Sequence, residues 1–320
     1  MGVRRFVHES RRNGIVLDRA LVAWLASAAW LRSVAPAAIV AAALGIAWDS
    51  LANASVASPT TPRQRGEGIP TSMFGTYIRP GELLVYPFFE YYLNNDEEYK
   101  PEELGFGLER DFRGKYRASE GLIFLSYGIS DRWAIEIEAA VISAKLEKAA
   151  DDPSAMPDEL KQSGTGDVEG QLRYRWAEET EGRPELFSYF EAVTPQQKDK
   201  KLIGTPDWEL KLGFGAIKEY PLGTFTLRAA GEYDAAESKG ELGECALEYL
   251  RVLSPAWRGY LGLEGAQDEW ELITEAQWKL HPRATLKLNN AFGVTSKAVD
   301  WAPEVGVMFS FPSGRSGSGE

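Results

Sequence analysis

The chain has 320 residues, a formal net charge of −12 at pH 7, one cysteine and two histidines. The acidic balance argues against a nucleic-acid partner, because phosphate backbones are bound by clustered Lys and Arg. A single cysteine, Cys245, excludes an intrachain disulfide and a thiolate metal cluster. His8 lies in a leader that we expect to be removed, so little material remains for nucleophilic or metal chemistry. We therefore expect no catalytic residues, no metal and no cofactor.

The N-terminus has the pattern of a secretory signal. Six arginines lie within residues 1–34, an apolar run extends from Val34 to Trp48, and Ala52-Asn53-Ala54 has the form of an A-x-A cleavage site. We interpret residues 1–54 as a signal peptide. An uncleaved membrane anchor is the alternative, since the apolar region is long enough to span a bilayer. After residue 54 no stretch of about 18 apolar residues occurs, so we expect no later transmembrane helix.

Residues 55–81 are predicted to connect the leader to the folded part. Residues 55–72 are rich in Pro, Ser, Thr and Gly, a composition typical of flexible segments. We expect residues 55–81 to form a periplasmic linker or, if the strands that follow close into a barrel, a plug inside it.

From residue 82 onward, apolar and polar residues alternate with the period of two that is typical of β-strands. In the clearest run, Leu286, Leu288 and Phe292 face one way, while Lys287 and Asn289 face the other. Twelve such runs are predicted, and in the first, second and fifth of them aromatic residues fall on both faces. The predicted strands cover residues 82–94, 118–129, 132–143, 165–176, 184–194, 205–217, 223–233, 241–252, 257–266, 269–280, 284–294 and 300–311.

The predicted connections alternate in length. Those after strands two, four, six, eight and ten are short, whereas residues 95–117 and 144–164 form long polar loops. Tight turns at one end and longer loops at the other are typical of outer-membrane barrels, and an even strand number places both termini on the periplasmic side. The connection between Gln267 and Asp268 does not fit, because almost no loop is left there. A soluble β-sandwich would also show alternation and is the structural alternative.

Tryptophan gives an independent indication of a membrane barrel, because indole rings favour the two membrane interfaces. On the predicted topology the residues at the turn side are Trp133, Trp176, Trp257 and Trp278, and those at the long-loop side are Trp208, Trp270 and Trp301. A closed barrel is the sheet that pairs every backbone group in lipid. We therefore predict an all-β fold, an antiparallel transmembrane β-barrel of about twelve strands over residues 82–311, in lipid of the bacterial outer membrane. Residues 312–320 are predicted to be a polar tail.

The last predicted strand carries a more specific signal. Gly306, Phe309 and Phe311 lie in a polar-x-Gly-x-x-apolar-x-aromatic pattern. This pattern resembles the C-terminal signal that the outer-membrane insertion machinery recognises, which would make that machinery a partner. The polar tail after Phe311 departs from the pattern, because most such proteins end on the aromatic residue.

The polar faces of the strands are strongly charged and are predicted to line the lumen. The carboxylates there could perform acid–base chemistry or bind Ca²⁺, but a hydrated wall of salt bridges is the favoured interpretation. Since acidic groups outnumber basic ones, we expect any pore to prefer cations weakly. The predicted lumen residues are Glu136, Glu138, Asp167, Glu169, Arg173, Arg175, Lys211, Arg228, Glu264, Glu271, Glu275 and Lys287.

Two segments support a family resemblance. YGISDRWAIEIEAAV (127–141) resembles a hairpin of outer-membrane proteins linked to the meta pathway of phenol degradation, and SGTGDVEGQLRYRW (163–176) resembles the Gly-Asp strand of the same family. The resemblance covers residues 74–311. It implies a twelve-stranded barrel concerned with uptake or export of small, often hydrophobic compounds, and it carries no catalytic residues.

The sequence thus favours a channel or passive transporter for small molecules, with hydrophobic or aromatic compounds among the candidate solutes. The alternative is a non-conducting structural or partner-binding barrel. An esterase of the outer-membrane type is not expected, because His281 lies in a predicted periplasmic turn.

Overall fold

The structure is a computed structural model that describes residues 64–196, 201–205, 207–234 and 239–312. Its elements in chain order are β1 (Ile69–Pro70), β2 (Tyr77–Ile78), β3 (Glu82–Tyr99), β4 (Phe112–Gly128), β5 (Trp133–Glu147), β6 (Glu159–Ala177), β7 (Glu185–Thr194), β8 (Glu209–Tyr220), β9 (Gly223–Asp234), β10 (Lys239–Ser254), β11 (Trp257–Ala266), β12 (Glu269–His281), β13 (Ala284–Gly293) and β14 (Ala302–Pro312). The expected signal peptide, residues 55–63 of the expected linker and residues 313–320 of the expected tail lie outside the described residues. Among the described residues no helix is long and apolar enough to cross a membrane.

Strands β3 to β14 form one closed barrel of twelve antiparallel strands. Each strand pairs with its neighbours in the chain. The ring closes where β14 meets β3, with Glu304 opposite Glu90 and Phe311 opposite Leu83. Closure pairs the backbone groups of every described strand of the ring, as lipid requires, because an unpaired N–H or C=O costs several kcal/mol there. The predicted fold class and strand number are confirmed.

Side chains alternate between the inside and the outside of the barrel, as the sequence predicts. In β13, Lys287 is 1% exposed and faces inward, whereas the adjacent Leu288 is 43% exposed and faces outward. The ambiguous first strand is also explained by the structure. Tyr86 and Phe88 are buried inside while Phe89 lies on the outer surface. Aromatic residues fall on both faces of β3 because the barrel interior contains rings too.

The outer surface changes from apolar to polar along each strand. On β5 the outward residues Trp133, Ile135, Ile137 and Val141 are exposed and apolar. Beyond Val141 the outward positions are occupied first by serines, which pair across three adjacent strands, and then by Arg and Lys. From Trp133 to Ser143 the strand rises about 34 Å. At a tilt of about 40° this is roughly 26 Å of height, close to the apolar band of an outer-membrane barrel.

Aromatic rings mark both edges of this band. At the turn end, Trp257 stacks on Trp278 with ring centroids 5.3 Å apart, and Trp133 packs against Tyr174. At the loop end, Trp208 and Trp301 are exposed. Trp270 differs from the expectation of a lipid-facing ring, because it is only 8% exposed and its indole N–H donates to the carbonyl of Gln267.

The structure corrects the predicted boundaries of the first, second, third and fourth barrel strands. β3 continues to Tyr99, β4 begins at Phe112, and the next hairpin extends from Glu147 back to Glu159. The two loops predicted at 95–117 and 144–164 are therefore residues 100–111 and 148–158. The reason is that these strand ends project above the apolar band, where water meets the outer face and the apolar alternation disappears.

The connection that did not fit the predicted pattern is a tight turn on the long-loop side. Residues Gln267 and Asp268 alone join β11 to β12. Gln267 adopts a φ of 48°, a left-handed conformation that a two-residue hairpin turn requires. The loop end of the barrel thus carries long loops, residues 195–208 among them, together with this short turn.

Candidate functional site: the barrel interior

The interior of the barrel is occupied by the chain itself. Residues 64–81, which we call the inner segment, form a small hairpin in which Ile69 pairs with Ile78 and Pro70 with Tyr77. Both isoleucines are fully buried, and together with Met73 they pack on the inward side chains of neighbouring wall strands. The wall residues of this cluster are Leu84, Tyr86, Phe88, Leu122, Phe124, Ala134 and Met308.

An ion-pair network fixes the start of the inner segment at the turn end, and we call it the latch. The Arg65 guanidinium lies 2.9 Å from Glu185 and 3.6 Å from Glu179. The backbone N–H of Gln64 donates to Glu219 at 2.8 Å. Both Arg65 and Glu185 are buried, so their charges need the compensation that this network supplies.

Further along, inward side chains of β5 and β6 bind the backbone of the inner segment. Arg175 donates to the carbonyl of Gly68 at 3.1 Å, and Arg173 donates to the carbonyl of Pro70 at 2.6 Å. Glu136 accepts the backbone N–H of Ser72 at 3.0 Å and lies 3.4 Å from Arg173. The buried backbone N–H and C=O groups of the inner segment thus obtain hydrogen-bond partners from charged side chains of the wall.

The opposite wall holds the turn of the inner segment. The carbonyl of Phe74 accepts hydrogen bonds from Gln277 at 3.0 Å and from Lys287 at 3.2 Å. Lys287 also lies 3.2 Å from Glu275. The Phe74 ring stacks on Tyr260 with centroids 4.9 Å apart. The inner segment therefore crosses the lumen from β6 to β13.

A second charged cluster lies on the wall formed by β7 to β11. Arg228 lies 2.5 Å from Glu244, 2.5 Å from Glu248 and 2.8 Å from Glu264. Lys211 lies 3.5 Å from Glu191 and 3.9 Å from Glu244. Acidic groups outnumber basic groups in this cluster.

A third group consists of carboxylates on adjacent strands β14, β3 and β4. Glu304 pairs across the sheet with Glu90, and Glu90 pairs with Glu120. All three are buried. Glu90 and Glu120 are not among the residues predicted from the sequence, because they lie in two strands whose apolar alternation is ambiguous. Strand register could have identified them, because both face the same side of the sheet as the inward residues of strands whose alternation is unambiguous.

The structure places the sequence-predicted lumen residues as follows. Glu136, Glu138, Arg173, Arg175, Lys211, Arg228, Glu275 and Lys287 are buried, and Asp167, Glu169, Glu264 and Glu271 are half-buried. Four of them, Glu136, Arg173, Arg175 and Lys287, contact the inner segment directly. Asp167 lies near the loop end, where it accepts the backbone N–H of Gln196 at 3.2 Å. Their role in lining a conducting pore stays a prediction.

Glycines of the wall make room for inward aromatic rings. A Cβ atom on Gly213 would overlap the Tyr189 ring, and one on Gly215 would overlap the Phe187 ring. The Arg173 guanidinium in turn lies over both rings, at 5.2 Å from Tyr189 and 5.6 Å from Phe187. Glycine, ring and guanidinium thus form successive layers from the wall toward the inner segment.

The loop end of the interior is apolar. Leu104 from the connection after β3, Met156 from the connection after β5, and Leu202 and Ile203 after β7 are all buried in one cluster. The side chains of the wall in this cluster include Tyr99, Phe112 and Leu146. Part of the predicted loop 95–117 thus folds inward, with Leu104 buried in this cluster.

The loop after β5 is held by one buried carboxylate. Asp152 accepts the Tyr99 hydroxyl at 2.9 Å and the backbone N–H of Ser154 at 2.8 Å, and the backbone N–H of Ala149 donates to the same Tyr99 oxygen at 2.8 Å. Burial alone would raise the pKa of Asp152. The hydrogen bonds from Ser154 and Tyr99 outweigh burial and hold that pKa below its ordinary value.

In the described part of the chain, no group of three or more His, Cys, Asp and Glu side chains is arranged to hold a metal ion. His281 ends β12 at the turn end, where its Nδ1 accepts the backbone N–H of Arg283 at 3.2 Å.

No protein-family model and no curated protein sequence matches the chain. Among solved structures, the chain is similar to the COG4313 outer membrane channel from Pseudomonas putida F1, with a TM-score of 0.56 and 13% identity over 76% of this chain and 100% of that one. It also resembles the translocator domain of the autotransporter NalP from Neisseria meningitidis, with a TM-score of 0.48 and 12% identity over 75% and 90% of the two chains. At these identities only the first likeness is informative, and it concerns architecture. The chain has the fold of an outer-membrane β-barrel.

Proposed function

We propose that this chain is an outer-membrane channel or passive transporter for small molecules, and that the inner segment closes it. One observation carries the proposal: the interior is filled by a peptide segment and not by the wall's own side chains meeting across it. The inner segment joins the described wall covalently at Glu82 and is otherwise held by reversible hydrogen bonds and ion pairs. A wall of twelve strands encloses more space than the side chains of an eight-stranded barrel fill.

The nature of the solute is supported by the two kinds of lining. The charged wall around the inner segment suits a polar group, whereas the apolar cluster at the loop end suits a hydrophobic body. The resemblance to outer-membrane proteins linked to the meta pathway of phenol degradation points to small hydrophobic or aromatic compounds. The structurally similar protein from Pseudomonas putida F1 is itself named as an outer membrane channel.

Deletion of residues 64–78 from the full chain tests the proposal. The deletion removes the contacts of the inner segment with Glu136, Arg173 and Lys287 but leaves β3 to β14 intact. We expect single-channel conductance in planar bilayers to rise well above that of the unaltered chain. Deletion of residues 313–320 is the control, because these residues follow the last strand.

The result can also contradict the proposal. If both deletion variants insert as folded barrels and neither conducts, the lumen does not form a pathway. A non-conducting structural or partner-binding barrel would then be the better description.

We further propose that Phe309 and Phe311 act in recognition by the outer-membrane insertion machinery. Both rings lie on the outer surface of β14, where a partner in the membrane can reach them. Gly306 has a second role, because a Cβ atom there would overlap Tyr86 and Phe88. Replacing Phe311 with Ser should lower the amount of assembled barrel in outer membranes, while refolding of the purified chain into detergent stays unchanged. Equal loss in both assays would assign Phe311 to stability alone.

A further inference from the structure

The carboxylates of Glu304, Glu90 and Glu120 form a continuous row on the inner wall. They are direct cross-strand neighbours on β14, β3 and β4. Adjacent strands lie about 4.8 Å apart, so the row extends over roughly 10 Å. Their exposed fractions are 8%, 5% and 0%. We call these three residues the carboxylate row.

Among the described residues, the carboxylate row has no Lys or Arg within ion-pair distance, unlike the buried lumen acids Glu136 and Glu275. Within the described part of the chain, neither oxygen of Glu120 and only one oxygen of Glu90 has a hydrogen-bond partner. No Lys or Arg of the described chain forms an ion pair with Glu90, Glu120 or Glu304, whereas Glu136 is paired with Arg173 and Glu275 with Lys287. A buried carboxylate without a compensating charge is unfavourable, and a bound cation removes that cost.

Aromatic rings surround the carboxylate row on the same strands. Tyr92 is hydrogen-bonded to Glu90 on one side. On the other side, Phe88 pairs across the sheet with Leu122, and the stacked Tyr86 donates its hydroxyl to Glu304 at 2.5 Å. Rings beside carboxylates favour an organic cation, because a ring face attracts positive charge and its carbon surface packs against an apolar body.

We propose that the carboxylate row binds the cationic group of a small organic amine whose aromatic or aliphatic body packs against Phe88 and Tyr92. The proposal deepens the proposed function, since it names a substrate class for the same lumen. A metal ion fits less well. The carboxylates lie side by side along a line, and no described group of three converges as metal ligands do.

Binding is tested with three probes of similar size, benzylammonium, benzyl alcohol and benzoate, and with the full chain folded in detergent. Isothermal titration calorimetry should show affinity in the order benzylammonium, benzyl alcohol, benzoate. The double variant E90Q/E120Q should bind benzylammonium at least about tenfold more weakly, as expected when a charge-assisted contact is lost. The single variant E120Q should give an intermediate loss.

The double variant E147Q/E159Q is the matched control, because it removes two charges from the outer face above the apolar band. Heat-modifiable gel mobility checks that each variant is folded. Failure of the unaltered chain to prefer benzylammonium, or retention of that preference in folded E90Q/E120Q, would overturn the proposal.

Flux of the same probes into liposomes separates the two proposals. If the deletion variant lacking residues 64–78 binds benzylammonium preferentially but shows no flux, the binding site is supported and the channel is contradicted. If it shows flux without a charge preference, the channel is supported and the binding site is contradicted.

Discussion

At the residue scale, the interior depends on glycines that sit beneath rings. Gly213 and Gly215 face inward on β8, where the rings of Tyr189 and Phe187 from β7 cover them. The rings are in turn held by the guanidinium of Arg173. A side chain at either glycine would push a ring toward the arginine that binds the inner segment. The packing of the wall therefore affects the position of the inner segment through three layers: glycine, aromatic ring and guanidinium.

The variant Gly213→Ala tests this layering. Its methyl group would overlap the Tyr189 ring, so we expect a destabilisation of about 1–3 kcal/mol from overpacking. The measurement is the temperature at which the compact gel band converts to the unfolded band. Gly121→Ala is the control, because a Cβ atom at Gly121 meets nothing within 4 Å. Equal conversion temperatures for the two variants would contradict the layered arrangement.

A second residue-scale prediction concerns Asp152. Since its pKa is lowered by folding, the stability it contributes is present above the pKa of the unfolded state, about 3.9. It is lost as the pH falls through the lower, folded value. The Asp152→Asn variant should therefore exchange the Ala149 amide hydrogen faster at neutral pH, by roughly tenfold for the loss of one charge-assisted hydrogen bond.

The measurement is hydrogen–deuterium exchange corrected for the intrinsic rate at each pH. The unaltered chain should lose protection of Ala149 only in acid, and Asp152→Asn should show little dependence on pH. Asp151→Asn serves as the control, because Asp151 is exposed in the same loop. Unchanged protection in Asp152→Asn at neutral pH would show that Asp152 does not hold the loop.

Individual lumen residues could be predicted from sequence where alternation is unambiguous. Lys287 and Glu136 are examples, because each is flanked by aliphatic residues that must face lipid. Glu90 and Glu120 could not be selected in this way. Their strands carry aromatic residues on both faces, and hydropathy cannot distinguish a ring that faces lipid from one that packs against a plug.

At the scale of elements, the latch controls how firmly the inner segment is held. Arg65 is paired with Glu185 inside the barrel, and Arg175 approaches the same carboxylate at 3.6 Å. The Arg65 guanidinium also lies over the Tyr77 ring at 5.4 Å. Arg65 thus joins the start of the inner segment to its second strand and to the wall.

We expect Arg65→Gln to loosen the inner segment. The substitution leaves Glu185 with only the 3.6 Å contact from Arg175, at a cost of about 2 kcal/mol for the lost charged hydrogen bond. This cost corresponds to a shift of roughly thirtyfold toward the released state. Single-channel recordings should show more frequent openings than in the unaltered chain. Arg79→Gln is the control, because its pair with Glu82 is half-exposed and worth little. Identical recordings for Arg65→Gln and the unaltered chain would refute the latch.

The elements themselves were predictable to different degrees. The twelve strands follow from alternation, because lipid on one side and charged groups on the other impose a strict period of two. The extensions of β3 to β6 above the membrane do not follow, since water on the outer face removes the contrast. The position of the inner segment was one of two sequence-based alternatives, because Pro and Gly in residues 64–81 suit both a linker and a chain held by side-chain hydrogen bonds.

At the scale of the whole molecule, the polarity of the outer surface changes with height along the barrel. The outward residues Ile135, Ile137 and Val141 of β5 are succeeded by Ser143, which pairs with Ser119 and Ser163 on the neighbouring strands. The next level, Arg117, Lys145 and Lys161, is charged. Such a ring of apolar side chains would be costly in water and is stable in lipid, so the barrel as a whole is built for a membrane.

The position of the membrane can be tested by placing one charge at two heights of β5. Ile137 lies in the middle of the apolar run, so Ile137→Arg should destabilise the folded barrel by about 2–4 kcal/mol in lipid vesicles. Ser143→Arg lies at the edge of the band on the same face, where the cost should be at most about 1 kcal/mol. Reversible urea unfolding in vesicles measures both. The difference should shrink strongly when the same variants are unfolded from short-chain detergent micelles, because these adapt around a charge more readily than a bilayer does. Equal destabilisation by the two substitutions in vesicles would mean that both positions face the same environment. The apolar ring would then not mark the membrane-spanning height of the barrel.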